Sequence, residues 1–185
     1  MKSIFLLAAS LFLVIGTLSS IQTSAQTLTY VDIKGQLVKE WERAKVYTVQ
    51  YLNIMPANKY GFKAIDSLRS FAQQMLHLAS ANIFLMSKAN PSPTPAFYGS
   101  DIEHSPSAQN KDSVMAYVVA SYDYCIAAVS SLPVASWGEV IEIFGFKETK
   151  FAMLLKTFEH QTHHRGQTTI YIRLQNIIPP NEHLF

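Results

Sequence analysis

Residues 148–176 read ETKFAMLLKTFEHQTHHRGQTTIYIRLQN, and this stretch carries the clearest helical pattern of the chain. Its apolar side chains recur at the three- and four-residue spacing of one helix face. Pro179 and Pro180 follow, and proline ends a helix because it lacks the N–H that continues the hydrogen-bond ladder. The pattern predicts one long helix. Its apolar face comprises Phe151, Leu154, Leu155, Phe158, Ile170, Ile172 and Leu174.

Three further segments with helical periodicity lie upstream. They run from about residue 30 to 53, 67 to 88 and 111 to 132, and a proline follows each of them. There is no internal repeat and no convincing hairpin signal, and the short apolar run at residues 140–144 fits either a strand or a helical turn. Helices of roughly 22–29 residues span about 33–44 Å at about 1.5 Å per residue. We therefore predict an all-α four-helix bundle in a single domain.

The segment between the second and third helices, residues 89–110, is the longest connection, and it carries three prolines in its first part. Fully extended, it reaches about 70 Å at roughly 3.3 Å per residue, which is enough to return along a whole helix. A simple up-and-down bundle needs only a few residues at this place. We therefore expect a crossover that makes the second and third helices parallel.

Three of the six histidines fall within residues 160–164, which read HQTHH. Side chains four residues apart share one face of a helix, with Cβ atoms about 6 Å apart, so His160 and His164 can bind one metal ion. His160 and His163 form a competing pair at three-residue spacing. The face with His160 and His164 is the more apolar one. This favours His164 as the ligand and His163 as a rim or surface histidine.

A third ligand should come from another helix, and His77 is the candidate because it lies in the middle of a mostly apolar segment. Its alternative role is that of a neutral core histidine with a hydrogen-bonding partner. Three imidazoles on one tetrahedral ion leave a fourth position open, which is typical of catalytic rather than structural sites. Neutral imidazole binds zinc, nickel, iron and copper alike. We expect the remaining histidines, His104 and His183, to be solvated.

Composition limits the classes of function. The chain has 185 residues, of which 49% are hydrophobic and 15% charged, so a sizeable core is expected and disorder is not. The net charge is +2 and no basic cluster stands out, so nucleic-acid binding is not expected. Cys125 is the single cysteine and cannot form an internal disulfide; its apolar neighbours predict a buried core residue.

Residues 1–25 have the pattern of a secretory signal peptide. Lys2 supplies the positive end, residues 4–18 form the apolar part, and residues 23–25 place small side chains before the predicted cleavage site after Ala25. A retained membrane anchor is the alternative, although the apolar run is shorter than the roughly 20 residues of a spanning helix. The sequence therefore predicts an exported protein, periplasmic or secreted. Its mature domain comprises residues 26–185 and has no stable membrane anchor after cleavage.

Three stretches resemble the DinB family of DinB/YfiT-like metalloenzymes. They are MPANKYGFK at residues 55–63, SFAQQMLHLASAN at residues 70–82 and HQTHHRGQ at residues 160–167. YIRL at residues 171–174 and the double proline beyond it match the end of the third stretch. The resemblance covers about residues 30–180, almost the whole of the predicted mature domain.

This resemblance implies a DinB-like four-helix bundle with the helix order up-down-down-up, in agreement with the argument from the long loop. It implies metal ligation by His77, His160 and His164, with zinc or nickel as the usual ion, and frequent homodimers.

Three more residues match family positions and are interpreted as structural or as supports of the ligands: Arg165, Gly166 and Gln167. Gln167 lies three residues beyond His164 on the same face and could orient that ligand. Gly166 costs the helix roughly 1 kcal/mol relative to alanine, so a close helix contact would explain its presence.

Three functions remain open. The first is a metal-dependent enzyme, a hydrolase or a thiol transferase acting on a small molecule. Some relatives transfer low-molecular-weight thiols, whereas export departs from the family, since many members look cytosolic. The second is a non-catalytic metal- or ligand-binding protein of the envelope, and the third a helical dimer with buried histidines. No carboxylate occupies a clear general-base position, because Glu159 should point to a different face from His160 and Glu148 is three turns away.

Overall fold

The computed structural model describes residues 27–185, so the predicted signal peptide lies outside the described residues. Four long helices account for most of this part: α1 (Tyr30–Ile54), α2 (Phe71–Ala89), α3 (Lys111–Ser131) and α4 (Lys150–Arg173). A small antiparallel sheet joins β1 (Val140–Ile143) to β2 (Phe146–Thr149). Short 3₁₀ turns lie at Ala57–Lys59, Pro106–Ala108 and Val134–Ser136. The prediction of a four-helix fold is confirmed.

A side-chain cap sets the start of each long helix. In α2 the Ser70 hydroxyl accepts from the Gln73 N–H at 3.2 Å, and the Gln73 side chain accepts from the Ser70 N–H at 2.9 Å. This reciprocal cap satisfies two of the N–H groups that a helix leaves unpaired at its start. The predicted start near residue 67 was wrong for this reason, and Leu68 lies outside the helix with 44% of its surface exposed.

Helices α2 and α3 run in the same direction. Asn82 donates to Ser121 at 3.2 Å, and about two turns further on Asn90, just beyond the end of α2, donates to the Ala128 carbonyl of α3 at 2.8 Å. Contacts that advance together along both helices are those of a parallel pair. The connection between them, residues 90–110, therefore returns along the bundle and passes close to α2.

Helix α1 lies between α3 and α4 and runs in the direction of α4. Trp41 packs edge-on against Phe158 with ring centroids 5.3 Å apart, and further along both helices the Tyr51 hydroxyl lies 3.0 Å from that of Thr169. Against α3 the order is reversed, because Lys34 near the start of α1 donates to the carbonyl of Leu132 just beyond the end of α3.

The core combines large apolar side chains with a few satisfied polar ones. Trp41 also packs against Tyr122, with ring centroids 5.7 Å apart, and neither side chain is exposed. Cys125 is fully buried, its sulfur lies 3.5 Å from the Asn82 carbonyl, and burial raises the pKa of its thiol well above the ordinary value. The prediction of a buried cysteine is confirmed.

Length and composition alone would allow α3 to cross a membrane, and among the described helices it alone meets that criterion. Its buried residues, however, form one wall of the core between α1 and α2. An apolar helix in this place is what a four-helix core requires.

The sheet is a tight hairpin that the sequence did not predict. Its two-residue turn, Phe144-Gly145, has φ angles of 53° and 81°. Both positive values fit a type I′ turn, which matches the twist of antiparallel strands. The usual marker of such a turn is Asn-Gly or Asp-Gly, and phenylalanine in the first position conceals it.

Candidate metal centre

Three histidines from two helices meet at one place in the bundle. His77 of α2 and His160 and His164 of α4 each offer a ring nitrogen, and these three atoms lie within 4.8 Å of one another. The two Nε2 atoms of His160 and His164 are 3.1 Å apart. The structure thus brings together the three residues that the sequence singled out, in an arrangement that could hold a metal ion.

The donor set fits a divalent ion. Two nitrogens bound to one tetrahedral zinc at 2.0–2.1 Å are separated by about 3.3 Å, close to the separation of the two Nε2 atoms on α4. Nδ1 of His77 lies 3.1 Å from a Glu103 carboxylate oxygen, and this leaves Nε2 of His77 for a ligand. Nδ1 of His160 is buried without a hydrogen-bond partner among the described residues.

The surroundings keep all three rings uncharged. Burial is the main cause and lowers the pKa of His164 to about 3 and that of His160 to about 4. Burial also lowers the pKa of His77, and the positive charge of Arg69 acts in the same direction on all three. Neutral imidazole is the form that binds a metal, so at neutral pH the site has its lone pairs available.

Two side chains outside the triad contact its histidines. Glu103, from the segment between α2 and α3, contacts His77, and Gln74 of α2 places its carboxamide 2.8 Å from Nδ1 of His164. The nitrogen of that carboxamide faces Nδ1 and also donates to the Gln167 oxygen, so Gln74 can accept from Nδ1–H, with Nε2 of His164 as a ligand, once both carboxamides rotate. Gln167 contacts Gln74, so its effect on His164 is indirect.

An open cleft of about 940 Å³ adjoins the triad. His164 and Glu103 lie on the wall that it shares with the metal centre. The rest of its lining mixes cationic, acidic, amide, aromatic and aliphatic side chains. Among them are Lys63, Asp66, Leu68, Arg69, Gln73, His104, His163, Gln167, Ile170 and Tyr171. A polar small molecule would find donors, acceptors and apolar surface next to the three rings.

The other histidines lie outside the triad. His163 is exposed and its Nε2 lies 2.8 Å from the Gln167 amide, which agrees with its prediction as a rim residue. His104 is exposed beside Asp101, with Nδ1 2.9 Å from a carboxylate oxygen. The expectation of a solvated His183 was wrong, because its ring is partly buried with its centroid 6.0 Å from that of Tyr47.

Arg165 and Gly166 belong to the helix rather than to the metal centre. The Arg165 guanidinium is buried 4.6 Å from the ring centroid of Tyr47 and donates to Gln161 at 3.0 Å. A Cβ atom added at Gly166 would meet no heavy atom of the described residues within 4 Å. The expected close helix contact at Gly166 is therefore wrong.

Sequence reasoning missed Glu103 and Gln74. Gln74 lies three residues before His77 on α2, and that spacing could have marked it as a neighbour of the site. Glu103 gave no such signal, since it lies in a polar loop and 26 residues separate it from His77. Glu103 is thus a carboxylate that contacts one histidine of the triad, and the prediction that none occupies a clear general-base position stays a prediction.

The comparisons with known proteins agree with this fold. A DinB-like protein from Bacillus cereus has 16% sequence identity and a TM-score of 0.65, with 80% of this chain and 96% of that chain covered. A DinB-like protein from Bacillus subtilis has 17% identity and a TM-score of 0.59, with 81% and 99% covered. At these identities the likeness shows the fold alone. No curated protein gives a significant match.

The family comparison covers the site as well as the fold. The model of the DinB superfamily matches residues 40–168, which include all three histidines of the triad. The matched region is well over half of the chain, and the chain belongs to the DinB superfamily.

Proposed function

We propose that the protein binds one divalent metal ion through His77, His160 and His164 and uses it as a metal-dependent hydrolase or thiol transferase. The observation that carries this proposal is the meeting of three neutral ring nitrogens within 4.8 Å of one another beside an open cleft. Three protein ligands with solvent access are typical of catalytic rather than structural metal sites.

A divalent ion bound there supplies Lewis-acid chemistry, which activates a water or a small thiol for attack on an electrophile. The residues of the chain provide the neutral ligands, the contacts that hold them and the space for a substrate. Burial keeps the rings neutral, Glu103 and Gln74 contact two of them, and the cleft holds the substrate. Zinc or nickel is the proposed ion, since three imidazole nitrogens suit both.

The cleft favours an enzyme over an envelope protein that binds only a metal; a non-catalytic ligand-binding protein stays the alternative. A site that only stores or carries a metal needs no space for a second molecule, whereas this one opens to about 940 Å³ of polar and apolar surface. The substrate that we propose is accordingly a small molecule with polar groups. We further propose that the protein works outside the cytoplasm, a proposal supported by the signal-peptide pattern of residues 1–25.

Elemental analysis of protein purified without a histidine tag tests the metal site. We expect one divalent ion per chain in the wild type and in the control His104→Ala, because His104 lies outside the triad. His77→Ala should lose most of the ion while its circular dichroism stays helical. A wild type that holds no ion after incubation with zinc and with nickel would contradict the proposal.

Activity separates the enzyme from the binding protein. The metal-loaded protein should accelerate either the hydrolysis of a panel of activated esters and amides or the addition of a small thiol to an electrophile. The His77→Ala variant should accelerate neither. Stoichiometric metal without either activity would favour the non-catalytic alternative.

A further inference from the structure

Glu103 contacts Arg69, two residues before the start of α2, and His77, in the second turn of that helix. One carboxylate oxygen lies 3.1 Å from Nδ1 of His77, and the other accepts from Nε of Arg69 at 2.5 Å. The side chain of Glu103 is only 16% exposed, so solvent screens these contacts less than it screens an ion pair on the surface. Glu103 comes from the middle of the long connection between α2 and α3, far from His77 in the sequence.

The chemistry of the contact fixes the state of the His77 ring. A carboxylate only accepts hydrogen bonds, so the proton of the neutral ring lies on Nδ1 and the lone pair on Nε2. Nε2 is then the atom free to act as a ligand beside His160 and His164. The same contact holds the plane of the ring, because an imidazole with one hydrogen bond and packed neighbours cannot turn freely.

We propose that Glu103 is a positioning residue for the metal ligand His77, and that Arg69 holds Glu103 in place. The inference rests on the proposed metal site. Its function is to select the tautomer and orientation of His77 before the ion arrives. Supports of this kind commonly change metal affinity by about 10- to 100-fold.

Direct ligation by Glu103 is the competing role. Glu103 is not among the described residues whose ligand atoms lie within 4.8 Å of one another. Its two oxygens are already used by His77 and Arg69. The structure therefore favours support of a ligand over ligation.

Substitution by glutamine separates these roles because a carboxamide has only one accepting oxygen. In Glu103→Gln the oxygen can serve Arg69 or His77, and the other partner then faces an N–H₂ group that cannot accept. Removal of the competing donor in Arg69→Met frees that oxygen for His77. The effect of Glu103→Gln should therefore depend on residue 69.

The experiment is a double-mutant cycle of Glu103→Gln and Arg69→Met, with Glu139→Gln as the matched control at an exposed ion pair with Lys150. The measured quantity is the Kd for Co²⁺ and Zn²⁺, from competition with a chromogenic chelator, together with the visible spectrum of the Co²⁺ form. We expect Glu103→Gln to raise Kd about 10- to 100-fold relative to the wild type. Relative to Arg69→Met, the double variant should raise Kd by less than about threefold. The control should leave both Kd and spectrum unchanged.

An equal loss in both backgrounds, with an altered Co²⁺ spectrum, would mean that Glu103 ligates the ion and would overturn the proposal. An unchanged Kd in Glu103→Ala, which removes both accepting oxygens, would overturn it as well.

A measurement on the metal-free protein tests the positioning role of Glu103 independently of metal binding. In long-range ¹H–¹⁵N spectra of the metal-free protein, His77 should be the Nδ1–H tautomer in the wild type and should lose that preference in Glu103→Gln. If no ion binds to the wild type, the proposed function fails, while the tautomer still decides whether Glu103 positions His77. A wild-type Nε2–H tautomer would overturn the inference whatever the metal content.

Discussion

His163 and His164 are neighbours in the sequence but lie in different surroundings. Residues three and four apart both neighbour one another on a helix, so helical spacing alone allows His160 to pair with either of them. His164 is 8% exposed and faces His77 with ring centroids 4.6 Å apart, whereas His163 is exposed and contacts Gln167. The packing of α4 against α2 therefore distinguishes the two, because it places His164 and not His163 beside His77.

The two alanine variants at these positions should behave differently. His164→Ala removes a ring nitrogen from the triad, and we expect it to lose stoichiometric metal. His163→Ala removes only a contact at the rim of the cleft, and we expect full metal content with a Kd within about threefold of the wild type. Equilibrium dialysis with inductively coupled plasma mass spectrometry measures both. Loss of metal in His163→Ala would show that His163 is the ligand.

The part of the site that lies on regular helices could be predicted from the sequence, because helical spacing places His160 and His164 on one face. His77 could be proposed from its apolar surroundings. Glu103 could not, because its contact with His77 depends on the path of an irregular segment. Backbone spacing carries no information about a contact of that kind.

Among the elements, α4 contains a glycine, Gly166, that no close contact of the described residues requires. Gly166 is exposed and has ordinary helical geometry, and a Cβ atom there would meet open space in the described part of the protein. Glycine in the middle of a helix lowers stability because the unfolded chain gains more freedom from it.

Gly166→Ala should therefore stabilise the protein by roughly 0.5–1 kcal/mol. Urea unfolding followed by circular dichroism measures the change. Gly145→Ala is the control and should lower the free energy of unfolding. The φ of 81° at this position of the hairpin turn strains any residue with a Cβ. A Gly166→Ala variant less stable than the wild type would indicate a contact of residue 166 that the monomer does not contain.

The helices were predictable because each has a long apolar stripe and a proline or a polar cap at its end. Their exact starts depend on capping, as the Ser70–Gln73 pair shows for α2. The hairpin was missed because strands of four residues are too short for periodicity to identify. Its turn also lacks the usual asparagine or aspartate.

At the scale of the whole molecule, the metal centre links parts of the chain that are distant in sequence. α2 supplies one histidine of the triad, α4 supplies two, and the connection between α2 and α3 supplies the carboxylate that contacts His77. The length of residues 89–110 indicated from the sequence that this connection crosses the bundle. That it brings Glu103 into contact with His77 could be known only from the fold.

Export is a prediction about the whole chain. Full-length protein expressed in a bacterium should appear outside the cytoplasm with Gln26 as its first residue, because small side chains precede that bond. Ala25→Leu should accumulate as the uncleaved precursor, since a bulky side chain blocks the signal peptidase. N-terminal sequencing of each cell fraction is the measurement. Cytoplasmic protein that retains Lys2 would contradict the prediction.

The single thiol of Cys125 can report how often the core opens. It is fully buried beside Asn82, and the chain contains no second cysteine to react in its place. A thiol reagent can therefore label the native protein only when α3 separates from α2, and the labelling rate measures how often the bundle opens. Comparison of that rate with and without bound metal would show whether the ion, held between α2 and α4, slows a movement on the opposite side of α2.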